Sequence, residues 1–207
     1  MLPTMTDDEL RPVLDELRKF EGLVLHLYLD DPDDDRPNVT IGIGCLITDA
    51  AHAQRLPFRH RDGLPASPAE IAAEFARVQS APHHHPASYY AGDLFITEAD
   101  AYALGCVVLR ASLVDLVDTF PGWPSFELPA RQCLLDVHWN AGSLRHVWPH
   151  LLAACNAVPP NYEAAADQCE TANPFNRPAR AARNAWRRGC MLAAQAAADS
   201  VESAPDA

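Results

Sequence analysis

No stretch of this 207-residue sequence approaches the ~20 consecutive apolar residues that a membrane-spanning helix requires, so membrane insertion is not expected. The opening residues, Met1-Leu2-Pro3-Thr4-Met5-Thr6-Asp7-Asp8-Glu9, lack the basic-then-apolar pattern of a signal peptide. The expectation is synthesis in the cytoplasm, with export only by another agent. Basic residues are scarce: 16 Lys and Arg stand against 28 Asp and Glu, a formal charge of −12. Phosphate backbones are bound by basic faces, so nucleic acid is not an expected partner. The six cysteines, at 45, 106, 133, 155, 169 and 190, show no Cys-x-x-Cys pair and no zinc-ligand spacing. The nine histidines contain no His-Glu-x-x-His. Neither a metal nor any other cofactor is therefore expected. Most of the cysteines fall in apolar helical patterns, where free buried thiols are the expectation and disulfides formed after export the alternative.

What is present is a globular chain. Apolar residues make up 48% of it, and its length suits one good core, at most two lobes. A Thr6–Glu9 capping box opens a helix with Leu10, Val13, Leu14, Leu17 and Phe20 at helical spacing. Residues 23–48 read as a small sheet. Within it Pro32 and Pro37 bracket Asp33, Asp34 and Asp35 in an exposed acidic turn. A cation site from Asp31, Asp33 and Asp35 is disfavoured, because the Gly and the later bidentate Glu of a calcium loop are missing.

Residues 49–96 are the least regular. One helix stands out there, opened by a Ser67–Glu70 capping box and carrying Ile71, Phe75 and Val78 on one face. His83, His84 and His85 lie in a Pro-flanked loop; Tyr89 and Tyr90 either line a groove or close that loop. From Thr97 onward the chain is helical: a helix through Val117 broken at Pro121-Gly122, another from Pro129 to Asn140, then Leu144 to Cys155, Tyr162 to Cys169, and Pro178 to Ala198. Residues 199–207 read as a flexible acidic tail.

The chemistry concentrates in residues 20–48. Glu21 ends the first helix. The alternation Leu25, Leu27, Leu29 ends in Asp30, and a second strand runs from Val39 to Ile43. Two carboxylates set by rigid elements around a turn can hydrolyse a glycosidic bond, one holding a proton for the leaving oxygen and one ionised. Asp31 competes with Asp30 for the second role. Cys45 could serve as a nucleophile, but its apolar setting favours packing.

Glu21-Gly22-Leu23, Leu27-Tyr28-Leu29-Asp30 and Thr40-Ile41-Gly42-Ile43-Gly44 match, position by position, the catalytic segment of the phage T4 lysozyme-like glycoside hydrolases, family 24. The chain resembles that family. It departs from the family pattern in a longer turn between Asp30 and Thr40 and in Cys45, where His is common. The resemblance implies an α+β, lysozyme-like fold: a small antiparallel sheet inserted after the first helix plus a mainly helical lobe. One domain over 1–198 is expected, with a β lobe at about 21–60, a variable insert at about 49–96 and a helical lobe at 97–198. It further implies Glu21 as acid, Asp30 as base and Thr40 as the residue that helps hold the attacking water. Leu46, Trp139 and Asn140 would contact sugar, and Arg177, Arg180 or Arg183 would pair with the catalytic Glu. Trp139, inside a helix, suits a core as well as a groove.

The activity so implied is that of a muramidase, cleaving the N-acetylmuramic acid–N-acetylglucosamine bond of bacterial peptidoglycan without a cofactor. The expected settings are a phage endolysin released through a pore or an antibacterial effector injected by a secretion system. The second would bring an immunity protein and a secretion component as partners. In either case the chain acts on the periplasmic wall. The alternatives are a catalytically inactive lysozyme-fold module that binds glycan or protein, and an enzyme acting on chitin-type polymers.

Overall fold

The computed structural model describes residues 4–30, 37–145, 148–170 and 177–202, with the backbone alone at 177–179 and 202. Helix α1 (Asp7–Glu21) begins where the sequence caps it. The Glu9 amide donates to Thr6 Oγ1 at 3.3 Å, and the Thr6 amide donates back to Glu9 Oε2 at 2.7 Å. It ends at Gly22, which adopts φ +77° and donates its amide to the Arg18 carbonyl at 3.0 Å. A left-handed residue after a helix is cheap only for glycine, and here it turns the chain at once into a strand. Glu21 thus sits on the last helical residue.

Packing divides the chain into two compact units. One comprises 17–108, the other 4–16 with 109–202. The division falls inside helix α4 (Glu98–Thr119), between Val108 and Leu109.

The 17–108 unit holds the sheet. Strands β1 (Val24–Leu29), β2 (Val39–Gly42) and β3 (Cys45–Leu46) form an antiparallel meander in the order β1-β2-β3. Tyr28 pairs with Thr40 and Thr40 with Leu46, while a register irregularity lies between Val24 and Tyr28. Directly paired residues share a face, so Tyr28, Thr40 and Leu46 form one row. Leu27, Leu29, Ile41, Ile43 and Cys45 are buried. The 49–96 segment is more ordered than its prolines suggest. Besides helix α2 (Ala50–Ala53) it carries helix α3 (Pro68–Gln79), whose Ser67–Glu70 capping box and buried Ile71, Phe75 and Val78 are as predicted. Tyr90 is buried and donates its hydroxyl to the Pro82 carbonyl at 3.0 Å, closing the loop, whereas Tyr89 is half exposed and stacks on His85. The residues of the acidic turn, Asp31, Asp33, Asp34 and Asp35, lie outside the described residues.

The other unit is helical. Helix α5 (Leu128–Ala141), with Pro129 in its first turn, packs on α8 (Arg177–Glu202); α6 (Pro149–Cys155) and α7 (Tyr162–Ala166) pack beside them. Phe120, Trp123, Phe126 and Tyr162 form an aromatic cluster with neighbouring centroids 5.9–6.2 Å apart. Three helix boundaries differ from expectation. Helix α6 begins at Pro149 rather than Leu144, because proline has no N–H and fits only a first turn. Helix α7 stops at Ala166, before Cys169. Helix α8 continues through Glu202, so 199–202 are not part of a tail; Gln195 donates to Asp199 at 2.8 Å across that last stretch. Residues 203–207 lie outside the described residues.

Candidate active site

Glu21 lies over the second glycine of Thr-Ile-Gly-Ile-Gly. A Cβ added to Gly44 would sit 3.6 Å from Glu21 Cβ and 3.9 Å from Glu21 Oε2. Gly44 itself has φ +73°, in the turn that joins β2 to β3. The motif therefore does two jobs: it turns the hairpin and lies under the acid at the helix end.

Asp30 is fixed at the loop end of the β1–β2 hairpin, just after Leu29 and opposite Asn38. Its amide donates to the Asn38 carbonyl at 3.0 Å, and its Oδ1 accepts from the Asn38 amide at 2.5 Å. The Thr40 hydroxyl donates to the same Asn38 carbonyl at 3.3 Å. Asp30 and Thr40 are thus both tied to Asn38, and the long turn between them does not separate them. Thr40 is only 2% exposed, and its one hydroxyl proton is engaged, so toward a water it can act through its oxygen lone pairs. Leu46, the next member of the row, is 49% exposed.

Tyr28, two residues before Asp30 on the same strand face, brings the two carboxylates into one field. Its hydroxyl is pushed up to about 12, first by burial and then by the negative charges of Asp30 and Glu21. The sequence pattern passes over Tyr28; its place one alternation before Asp30 is the signal that could have found it.

A second polar cluster lies wholly in the helical unit. Asp136 on α5 is fully buried. Arg183 grips it through Nε at 3.1 Å and Nη2 at 2.9 Å to Oδ1, and Arg187 through Nε at 2.5 Å to Oδ2. With its amide turned to suit its neighbours, the Asn140 oxygen accepts from Arg183 Nη1 at 3.1 Å and Arg187 Nη2 at 2.9 Å. Two guanidinium groups on one carboxylate leave this group of three with net positive charge, an arrangement that holds only while every polar atom is bonded. Asn140 is exposed, with its NH2 turned away from the arginines. Trp139 beside it is half-buried, as is Arg180; the Arg177 side chain lies outside the described residues. Asp136 and Arg187 were missed from sequence. A lone acid inside the apolar run Cys133–Val137, with two arginines one turn apart elsewhere, is the pattern that betrays them.

None of the six cysteines is in a disulfide; Cys190 is half-buried and the rest are buried. Burial pushes the Cys45 thiol up to about 12, so at neutral pH it is a packed thiol and no nucleophile. Among the described residues no group of three or more His, Cys, Asp or Glu is placed to hold a metal ion, and no helix is long and apolar enough to cross a membrane.

No protein-family model matches the sequence, and no curated protein sequence matches it. Solved structures do. A crystal structure of a P22 lysozyme mutant superposes with a TM-score of 0.53 and 18% sequence identity, over 87% of this chain and 95% of that one. The chain has a lysozyme-like fold. At this identity the likeness is one of fold, and it covers both units. In this chain the motif residues lie on the end of α1 and on the three-stranded sheet that follows it.

Proposed function

We propose that the chain is a muramidase that hydrolyses the bond between N-acetylmuramic acid and N-acetylglucosamine in bacterial peptidoglycan. The observation that carries this reading is the geometry of the sheet: Glu21 lies against Gly44 in the β2–β3 turn, while Asp30 and the Thr40 hydroxyl are both bonded to Asn38. The lysozyme-like fold supports the substrate class.

In this mechanism Glu21 gives a proton to the leaving glycosidic oxygen. Positive charge builds on the anomeric carbon, and Asp30, with Oδ1 engaged by Asn38, presents its other oxygen to an attacking water or to the sugar itself. Thr40 accepts a hydrogen bond from that water. A water between the carboxylates goes with inversion, direct attack by Asp30 with retention. Leu46, Trp139 and Asn140 as sugar contacts, and one of Arg177, Arg180 and Arg183 as partner of Glu21, belong to the proposal on the family resemblance. So does delivery to the periplasmic wall, either by a phage lysis pore or by a secretion system with a cognate immunity protein.

The test is clearing of purified peptidoglycan by wild type and by Glu21→Gln, with mass spectrometry of borohydride-reduced products. New reducing-end muramic acid from wild type alone is the expected result. Equal clearing by both proteins, or by neither, refutes the hydrolase and leaves a binding module.

A further inference from the structure

One concavity lies wholly within the 17–108 unit and plays no part in the mechanism above. It has a volume of about 630 Å³, within the range of small-ligand sites. Its walls are the α3 face and two segments bridged to each other by backbone: the Arg59 amide donates to the Phe95 carbonyl at 2.9 Å and the Phe95 amide to the Arg59 carbonyl at 3.0 Å. The shape is thus set before anything binds.

Its floor is a firm ion pair. Arg77 donates to Glu74 through Nε at 2.8 Å and Nη2 at 2.7 Å, and Nη2 also reaches the Tyr90 carbonyl at 2.5 Å. The Glu74 side chain is only 11% exposed. Gly92 makes this possible, since a Cβ there would collide with the Glu74 carboxylate and press on Arg77. The rim is different. Arg61 and Asp93 stand 4.0 Å apart with side chains 77% and 88% exposed, and His60 faces Glu70 at 3.4 Å. The Arg61–Asp93 pair, loose and hydrated, contributes little to stability and exchanges readily for a ligand's charges, while Glu70 keeps its other oxygen on the Ser67 cap. Both signs are represented on the rim, so a purely anionic or purely cationic ligand meets one attraction and one repulsion. A ligand with an amine and a carboxylate a few bonds apart meets two attractions.

We propose that this concavity is a subsite for a short peptide bearing both a free amine and carboxylates, the chemistry of the stem peptides carried by wall glycan. The inference rests on the hydrolase reading for its choice of peptide. Arg61 and His60 take carboxylates, Asp93 and Glu70 take the amine, and the Glu74–Arg77 pair forms the polar base beneath the peptide backbone.

Calorimetric titration of the full-length Glu21→Gln protein with the tetrapeptide L-Ala-γ-D-Glu-meso-diaminopimelate-D-Ala tests it. Saturable binding is expected, weakened about tenfold by Arg61→Glu, the equivalent of one charge-assisted hydrogen bond, and largely kept by Arg61→Lys. The same peptide with its amines acetylated and its carboxylates amidated should not bind. Absence of saturable binding, equal binding of the blocked peptide, or indifference to Arg61→Glu overturns the subsite. Wall clearing by wild-type protein is measured alongside: clearing without peptide binding overturns only the subsite, and peptide binding without clearing overturns only the hydrolase.

Discussion

Asn38 holds Asp30 with its backbone alone: its amide donates to Asp30 Oδ1 and its carbonyl accepts the Asp30 amide. The side chain of Asn38 plays no part in either bond. Asn38→Ala should therefore leave hydrolysis close to wild type, whereas Asn38→Pro, which deletes the amide proton, should lower the turnover rate. Loss of one hydrogen bond to a charged group, about 1.5–3 kcal/mol, corresponds to roughly ten- to a hundredfold. Steady-state kinetics on soluble glycan strands, with circular dichroism to confirm the fold, would compare the pair. Equal rates in the two variants would show that this bond does not position Asp30.

Gly44 turns the hairpin at φ +73° with Glu21 packed above it. In Gly44→Ala the new methyl meets Glu21 at ordinary contact distance, so backbone strain is the dominant cost, about 1–2 kcal/mol. Urea denaturation should record that loss. Unchanged stability would mean that the turn adopts another conformation.

Asp136 is shared by two arginines inside the helical unit. Asp136→Ala removes the buried carboxylate that both guanidinium groups share and should cost about 3–5 kcal/mol, among the largest single losses in the protein. Chemical denaturation measures it, and the triple change Asp136→Leu with Arg183→Met and Arg187→Met should recover much of the deficit by removing the charges together.

Tyr28 makes stability sensitive to alkali. Its folded-state pKa lies at about 12, above the ordinary phenol value of 10.0, so between those values the folded chain holds a proton that the unfolded chain has lost. Folding is then progressively disfavoured as pH rises from 10 to 12, while below pH 10 the group has no effect. Two pH units correspond to at most about 2.7 kcal/mol, less for the share of the ring that meets solvent. Tyr28→Phe should flatten that part of the pH–stability curve. Absorbance titration at 295 nm, wild type against variant, should lose a late-titrating phenol.

Cys45 is a packing residue, buried with its thiol held protonated. Cys45→Ala should keep full wall-clearing activity and cost about 1 kcal/mol of stability. An inactive but folded variant would return the thiol to the chemistry.

Much of the fold was legible because its signals are short in sequence. The Thr6–Glu9 and Ser67–Glu70 boxes, the buried stripe Ile71–Phe75–Val78 and the alternation of Leu27 with Leu29 each express a hydrogen bond or a periodicity within a few residues. The errors share a scale too. The expected start of α6 at Leu144 gave periodicity more weight than Pro149, and the expected end of α8 at Ala198 ignored that an alanine-rich helix continues until something stops it.

By its residue order alone, this protein had already determined that an acid ends its first helix, that a second acid ends the following strand, and that a glycine-bearing hairpin comes next. Local hydrogen bonding and alternation dictate those positions. Tertiary structure decided the rest: which carboxylate meets Asn38, why Tyr28 stays protonated, how α8 brings Arg183 and Arg187 onto Asp136 across sequence separations of 47 and 51 residues, and how the 59–94 segment encloses a charged hollow. Such pairings form only when distant segments have been desolvated against each other, and the energy of a buried charge depends on that surrounding rather than on its neighbours in the chain.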